Sequence, residues 1–362
     1  MPYLYTAEQE QIRDEVRRIV TASCAPDALR GLLETKGAYD KEFWARAVEM
    51  GWTAMAIAEA DGGLGMSLID ALIVAEETGR APAGAPFLAT AFAAQHALAG
   101  AEGQADLLGA IAAGEARIVI AFEEGGEPLP ALPATRFRQG RLTGAKQASV
   151  GAAAGDIALV LAQDGGAPCL ALVALDGEGV SRQAIDSIDN SRCSASISFT
   201  DTPATLLPSN DALGLASACL DRLALHLAAE AIGGTEACLG KAADYANQRQ
   251  AFGQAIGKFQ AVKHALAEIY VANELARASL LDAAVRLDRG DAQAGAYVAA
   301  ARLNAVHGYD YAAAAATQVH GGIGVTWEDD MHLHYRRARS LALEAGAPWF
   351  WEDRIVSMLE AA

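Results

Sequence analysis

The run Arg249-Gln-Ala-Phe-Gly253, followed by Ile256-Gly-Lys-Phe-Gln260, places an arginine fork and two glycines just ahead of a long helical pattern. Paired guanidinium N–H groups, backbone open to close approach and a helix N-terminus together suit a phosphate or pyrophosphate. The same residues also suit a plain helix-to-helix turn capped by arginine. About seventy residues later, Gln318-Val-His-Gly-Gly-Ile-Gly324 closes another helical stretch. Its glycines can stop a helix in a left-handed residue and admit a ligand to the backbone, with Gln318 and His320 as polar edges. A simple helix C-cap explains them equally.

Other reactive side chains are less suggestively placed. Glu230 is the lone charge in the apolar stretch Leu223 to Ile232, with His226 one turn before it. That pattern fits a half-exposed position on an amphipathic helix, or a carboxylate near a site. His332 and His334, two apart, point to different faces of a helix and cannot share a metal. Cys24, Cys169, Cys193, Cys219 and Cys238 are odd in number and lack CxxC spacing, which argues against a disulfide framework and a zinc site. A reducing cytoplasm is the compartment this implies. Trp349 and Trp351 read as packing for a tail or an interface, and Arg336, Arg337 and Arg339 as a salt-bridged helix face or an anion contact.

Helices on either side of a β segment must position these motifs. From Thr6 to about Gly114 apolar residues recur at helical spacing (Ile12, Val16, Ile19, Val20, then Phe43, Ala47, Val48, Met50). Breaker clusters at Ala60–Gly65 and Ala81–Pro86 divide the pattern. Short β-branched or apolar runs at 117–122, 157–162, 169–175 and 195–200 predict an antiparallel β segment. Helical period returns over 213–248, 259–289 and 291–319, with a shorter stretch after Trp327. The tight Asp288–Asp291 link and the small residues near Ala299 and Ala313 predict an up-down bundle. The division is a helical domain over 1–115, a β domain over 116–208 and a helical bundle over 209–362.

Among 362 residues, 45 are acidic and 28 basic, a net charge of −17 that opposes nucleic acid and anionic lipid, with no basic patch to offset it. The N-terminal stretch is polar and acidic, unlike a signal peptide, and the uncharged stretch Ala81 to Ala101 is interrupted by proline, glycine, Gln95 and His96, so no membrane span is expected.

The two glycine motifs in this order, with Phe43-Trp44, Glu49-Met-Gly-Trp52, Glu59-Ala-Asp-Gly-Gly-Leu-Gly65, Glu76-Glu-Thr-Gly-Arg80, Gly144-Ala-Lys146 and Arg336, resemble the acyl-CoA dehydrogenase family of flavoproteins over almost the whole chain. The resemblance implies an α+β fold with an N-terminal helical domain, a middle β-barrel-like domain and a C-terminal four-helix bundle. It also implies FAD held across a dimer interface, α,β-desaturation of an acyl-CoA thioester, and an electron-transfer flavoprotein as acceptor. Carried over residue by residue, Arg249, Phe252, Gln260, Gln318, Gly321 and Gly322 would reach the pyrophosphate and adenosine of a neighbouring subunit's FAD.

Three departures qualify that expectation. Where the family has Thr-Glu-Pro beside the flavin ring, this chain has Glu123-Glu-Gly125, placing a carboxylate where a hydroxyl is expected. The family's Lys-x-Trp-Ile-Thr is here Lys146-Gln-Ala-Ser-Val150, so Ala148 and Val150 remove a ring contact and a donor. The base that takes the α-proton is also displaced. One family register falls on Ala345, leaving Glu344 adjacent; the other falls on Leu223, leaving Glu230 two turns later. The resemblance narrows to the branch in which two different chains form α2β2 and share one FAD per pair, acting on bulky or steroid side-chain CoA esters. The alternatives are a self-sufficient homo-oligomer with Glu344 or Glu230 as base, a flavin-free scaffold, and an oxygen-using monooxygenase of the same fold. Small residues on the first bundle helix, among them Gly233 and Gly234, are read as room for the acyl group.

Overall fold

A computed structural model describes residues 5–360. In chain order it contains α1 (Ala7–Ser23), α2 (Pro26–Leu33), α3 (Lys41–Glu49), α4 (Leu68–Arg80), α5 (Phe87–Ala99) and α6 (Ala105–Ala112). Strands β1 (Ile118–Ala121), β2 (Arg136–Arg138), β3 (Arg141–Ser149), β4 (Ile157–Asp164), β5 (Ala167–Ala174), β6 (Val180–Ala184), β7 (Ala195–Pro203) and β8 (Thr205–Leu207) follow. The chain ends with α7 (Ala212–Gln248), β9 (Gln250–Ala251), β10 (Gln254–Ala255), α8 (Gln260–Asp288), α9 (Ala294–His320), α10 (Met331–Leu343) and α11 (Pro348–Glu360). These elements gather into two compact units. One holds the N-terminal segment through Arg30, Leu72–Ala83 and the chain from Ala224 onward; the other holds Gly31–Ala71 and Gly84–Leu223.

The second unit is built on a sheet in the order β6-β7-β3-β2-β4-β5-β8, with β1 also against β4. Inward residues Val119, Leu142, Val160, Val173, Ile197 and Phe199 form its core. β4 is buried over Ala158–Ala162, as a strand covered on both faces must be. The expectation of an antiparallel segment needs correction, because β1 runs parallel to β4, pairing Ile118 with Ile157 through Ala121 with Val160. A tight turn cannot join parallel neighbours. Here the chain passes through the β2–β3 hairpin before returning as β4. β3 and β6 are not visible as apolar runs because, of the buried residues of β3, Leu142, Lys146 and Ser149, only one is apolar, and β6 is half-exposed or exposed throughout.

In the helical unit, Thr6 opens α1 with a capping box, its hydroxyl accepting from the Gln9 amide at 3.2 Å. α9 packs against α8, α10 and α11. The bundle therefore gains α11, which the sequence pattern did not reveal. Trp351 of α11 is fully buried, so it packs this tail, while Trp349 stays half-exposed. α7 is long and apolar enough to cross a membrane by length and composition, but 67% of its most apolar window is buried inside the protein, as in a core helix.

The helices meet through glycines and ion pairs. A Cβ on Gly79 of α4 would lie 1.9 Å from the Glu230 carbonyl oxygen of α7, and one on Gly233 would lie 1.7 Å from the Glu76 carbonyl oxygen. Gly234 faces the ring of Tyr309. The space read as room for an acyl group at Gly233 and Gly234 is thus filled by α4 and by Tyr309. Around the crossing, Arg277 bonds Glu76 at 2.7 Å and Glu236 at 2.9 Å, and Arg17 bonds Glu77 at 2.7 Å.

Behind Gly234, the Tyr309 hydroxyl lies 3.0 Å from His334 Nδ1, and burial pushes that imidazole down to about 3. The folded chain therefore keeps His334 neutral where an unfolded histidine takes up a proton near 6.5. This residue's contribution is intact above pH 6.5 and is lost as pH falls from 6.5 toward 3, by about 1.4 kcal/mol per pH unit for one proton. In His334→Phe, the parent's stability advantage over the variant is expected to shrink between pH 7 and pH 4 in urea titrations. A difference that stays constant with pH would refute this.

Candidate functional site

At the end of α7 the chain enters a small hairpin in which Gln254 pairs with Ala251 and Ala255 with Gln250. Phe252 and Gly253 take left-handed φ values of 49° and 77° at its tip. The Ile256 amide donates to the Arg249 carbonyl at 2.9 Å, closing the loop on the helix end. Gly257 sits against Ala246, where a Cβ would be 3.1 Å from the Ala246 carbonyl oxygen, so the hairpin lies back on α7's last turns. Phe252 is 96% exposed and Arg249 is exposed. Phe252 is therefore held in left-handed backbone and presented to solvent, away from the core.

α8 begins at Gln260, exposed, so its unpaired N–H groups adjoin the hairpin. At the end of α9, Gln318 is exposed, and Gly321 (φ 67°) stops the helix and starts a 3-10 turn, Gly321–Val325. Gly321 and Gly322 have open space where a side chain would stand. Tyr245, four residues before Arg249, stacks on His320 with ring centroids 4.5 Å apart and planes at 27°. The structure thus ties the end of α7, which carries Arg249 and Phe252, to the end of α9, which carries Gln318, Gly321 and Gly322.

The two candidate carboxylates sit differently. Glu230 is not a half-exposed helix position: its side chain is 6% exposed and pairs at 2.7 Å with Arg337, itself 1% exposed. Arg337 Nη2 also donates to the carbonyls of Pro82 (3.1 Å) and Ala83 (3.0 Å). Charges removed from water need such partners. Glu344 caps the C-terminus of α10, half-buried, its carboxylate accepting from Ser340 Oγ at 3.1 Å. Its carbonyl accepts from the buried Arg302 at 2.8 Å. The following Ala345 has φ 58°.

In the other unit, the segment after β1 meets the end of β3, where the Gln147 amide donates to the Glu123 carbonyl at 3.3 Å. Lys146, fully buried, donates from Nζ to Glu124 at 2.6 Å and to the Phe122 carbonyl at 3.1 Å. Burial pushes this ammonium down to about 8 against the pull of Glu124. The Glu124 carboxylate also accepts from the Thr135 amide at 3.0 Å. Although burial opposes it, bonding to Lys146 and Thr135 holds Glu124 below the usual carboxylate range. Glu123 is half-buried, and burial raises its carboxyl above the ordinary range. Ala148 (φ 46°) lies in a bulge of β3 between Lys146 and Ser149. This corner therefore offers one carboxyl of raised pKa and no hydroxyl at positions 123, 148 and 150.

Sequence reasoning missed the Lys146–Glu124 pair and the Tyr245–His320 stack. The first had no periodic signal; for the second, Tyr245 one helical turn before Arg249 was the available sign.

The chain matches the acyl-CoA dehydrogenase N-terminal domain over residues 6–115 and the acyl-CoA dehydrogenase C-terminal domain over residues 211–348. Acyl-CoA dehydrogenase IpdE2 of Mycobacterium tuberculosis is 33% identical over 345 residues, covering 92% of both chains. A variant of the Tcur3481–Tcur3483 steroid ACAD has the same fold, with TM-score 0.90, 26% identity and 98% of both chains covered. The ChsE4–ChsE5 complex from Mycobacterium tuberculosis aligns with TM-score 0.88 and 25% identity over 99% of this chain and 98% of that one. The chain therefore belongs to the acyl-CoA dehydrogenase family, whose members are FAD-dependent oxidoreductases.

Proposed function

We propose that this chain is one subunit of an α2β2 acyl-CoA dehydrogenase, supplying the adenosine and pyrophosphate arm for FAD seated on a second acyl-CoA dehydrogenase-like chain, which carries the catalytic carboxylate. The observation that carries this reading is the contrast within one chain. Arg249, Phe252, Gln260, Gln318, Gly321 and Gly322 are exposed or open, whereas the ring cradle holds Glu123, Ala148 and Val150. The arm fits the group: a guanidinium and helix N–H groups for phosphate oxygens, amides for polar edges, and glycines that let a ligand reach the backbone. The cradle does not fit, since a half-buried carboxyl beside an anionic ring is unfavourable.

FAD, when bound, supplies the acceptor for the hydride leaving the β-carbon of the thioester. In this reading Arg249 faces the pyrophosphate charge, Phe252 shields it from water, and the buried Glu230 serves the bundle rather than proton transfer. A bulky acyl-CoA, such as a steroid side-chain ester, is the proposed substrate, supported by the likeness to the steroid ACAD. The likeness to the ChsE4–ChsE5 complex supports a heteromeric assembly, and an electron-transfer flavoprotein is the proposed acceptor.

Flavin absorbance with light scattering tests this. The chain alone is expected to carry no flavin. Co-purified with its partner, it should form a heterotetramer with one FAD per pair of chains, and Arg249→Ala in this chain should deplete the flavin. A yellow homo-oligomer with one FAD per chain, losing turnover in Glu344→Gln, would overturn the proposal. A partner complex that binds no FAD would favour the scaffold reading.

A further inference from the structure

We infer that the Tyr245–His320 stack is a positioning joint that sets the spacing of the two cofactor arms, the arginine hairpin after α7 and the glycine turn after α9. This rests on the proposal that those arms hold FAD. Three contacts fix His320. Its ring lies on Tyr245 at 4.5 Å. Its Nδ1 is 2.8 Å from the Ala316 carbonyl, which can only accept, so Nδ1 carries the proton and this bond orients the ring. Beneath it, a Cβ on Gly324 would be 2.9 Å from both the His320 Cβ and the Thr317 carbonyl oxygen, so the glycine turn folds back onto this residue.

Tyr245 is as firmly joined to the other arm. Its carbonyl accepts from the Arg249 amide at 2.8 Å, and the Arg249 carbonyl accepts from Ile256 at 2.9 Å. A shift of the Tyr245 ring is therefore carried through α7's last turn into Arg249 and the hairpin, and a shift of His320 is carried into Gly321 and Gly322. Both arms end in open, exposed groups. The stack is a side-chain contact that joins the two helix ends. Neither ring is assigned a contact with the cofactor, so the pair acts through Arg249 and the glycine turn.

The test uses the whole complex, stripped of flavin and titrated with FAD by fluorescence, with unfolding midpoints measured in parallel. His320→Ala is expected to raise the FAD dissociation constant about five- to tenfold, the range of one aromatic stack. His320→Phe, which keeps a ring but not the Nδ1 bond, should recover to within about threefold of the parent on the same scale. Tyr245→Leu should mimic His320→Ala, and Tyr245→Phe should match the parent; this pair decides the matter if His320→Ala does not assemble. Equal loss in His320→Ala and His320→Phe, or FAD binding unchanged in both His320→Ala and Tyr245→Leu while Arg249→Ala loses it, would overturn the joint alone. Unchanged binding in Arg249→Ala would instead remove the arm reading on which it rests.

Discussion

Gly79→Ala and Gly233→Ala should each cost more than about 3 kcal/mol, at the upper end of overpacking effects, and leave the helical unit partly unfolded near room temperature. The crossing of α4 and α7 is reciprocal. Glu76 and Gly79 on one helix face Glu230 and Gly233 on the other, each glycine lying under the carbonyl of the opposite glutamate. The added methyl carbons would stand 1.9 Å and 1.7 Å from those oxygens. The obstacle is backbone, which has no rotamer to change. The helices would have to part by more than an ångström, loosening the Glu76–Arg277 and Glu230–Arg337 pairs that flank the contact. Gly240, on the same α7 but with nothing near its missing side chain, gives the opposite sign. Gly240→Ala should stabilise by about 0.4–1 kcal/mol through helix propensity and a less disordered unfolded chain. Thermal and urea unfolding of the three variants checks both halves. Gly79→Ala melting with the parent would mean the helices do not cross this closely.

Those glycines show where sequence and structure part company. Gly233 and Gly234 are small, and smallness in a sequence is read as space. Only the fold shows that a helix backbone and a tyrosine ring occupy that space. The long helices α7, α8 and α9 were legible within a few residues because 27 to 37 residues of apolar period leave little ambiguity. Strands β1, β4, β5 and β7 were legible as apolar runs. β3 was not, because of its buried residues Leu142, Lys146 and Ser149 only one is apolar, and β6 has no fully buried residue. The breaks between helices at 249–259 and at Gly321–Gly322 were legible because local spacing defines them. Ion pairs were not, because their partners are far apart in sequence: 107 residues from Glu230 to Arg337 and 201 from Glu76 to Arg277. No local pattern carries that information.

The Glu230–Arg337 pair separates a structural carboxylate from a catalytic one. Glu230→Gln changes one atom's charge and almost no volume, yet it leaves Arg337, 1% exposed, without its buried counter-charge. Breaking a buried pair from one side costs about 3–5 kcal/mol. Arg337→Met should cost as much or more, since Glu230 loses the Arg337 guanidinium and the Pro82 and Ala83 carbonyls lose its donation. The double change Glu230→Leu with Arg337→Met removes both charges of the pair at once. Its cost should fall below the sum of the single costs by about 2 kcal/mol or more, a coupling that unfolding measurements resolve. A catalytic base gives the reverse pattern: Glu230→Gln would keep its stability and lose turnover, with no coupling to Arg337. If stability falls while residual turnover per folded complex persists, the proton acceptor belongs elsewhere. The half-site proposal places it on the partner chain.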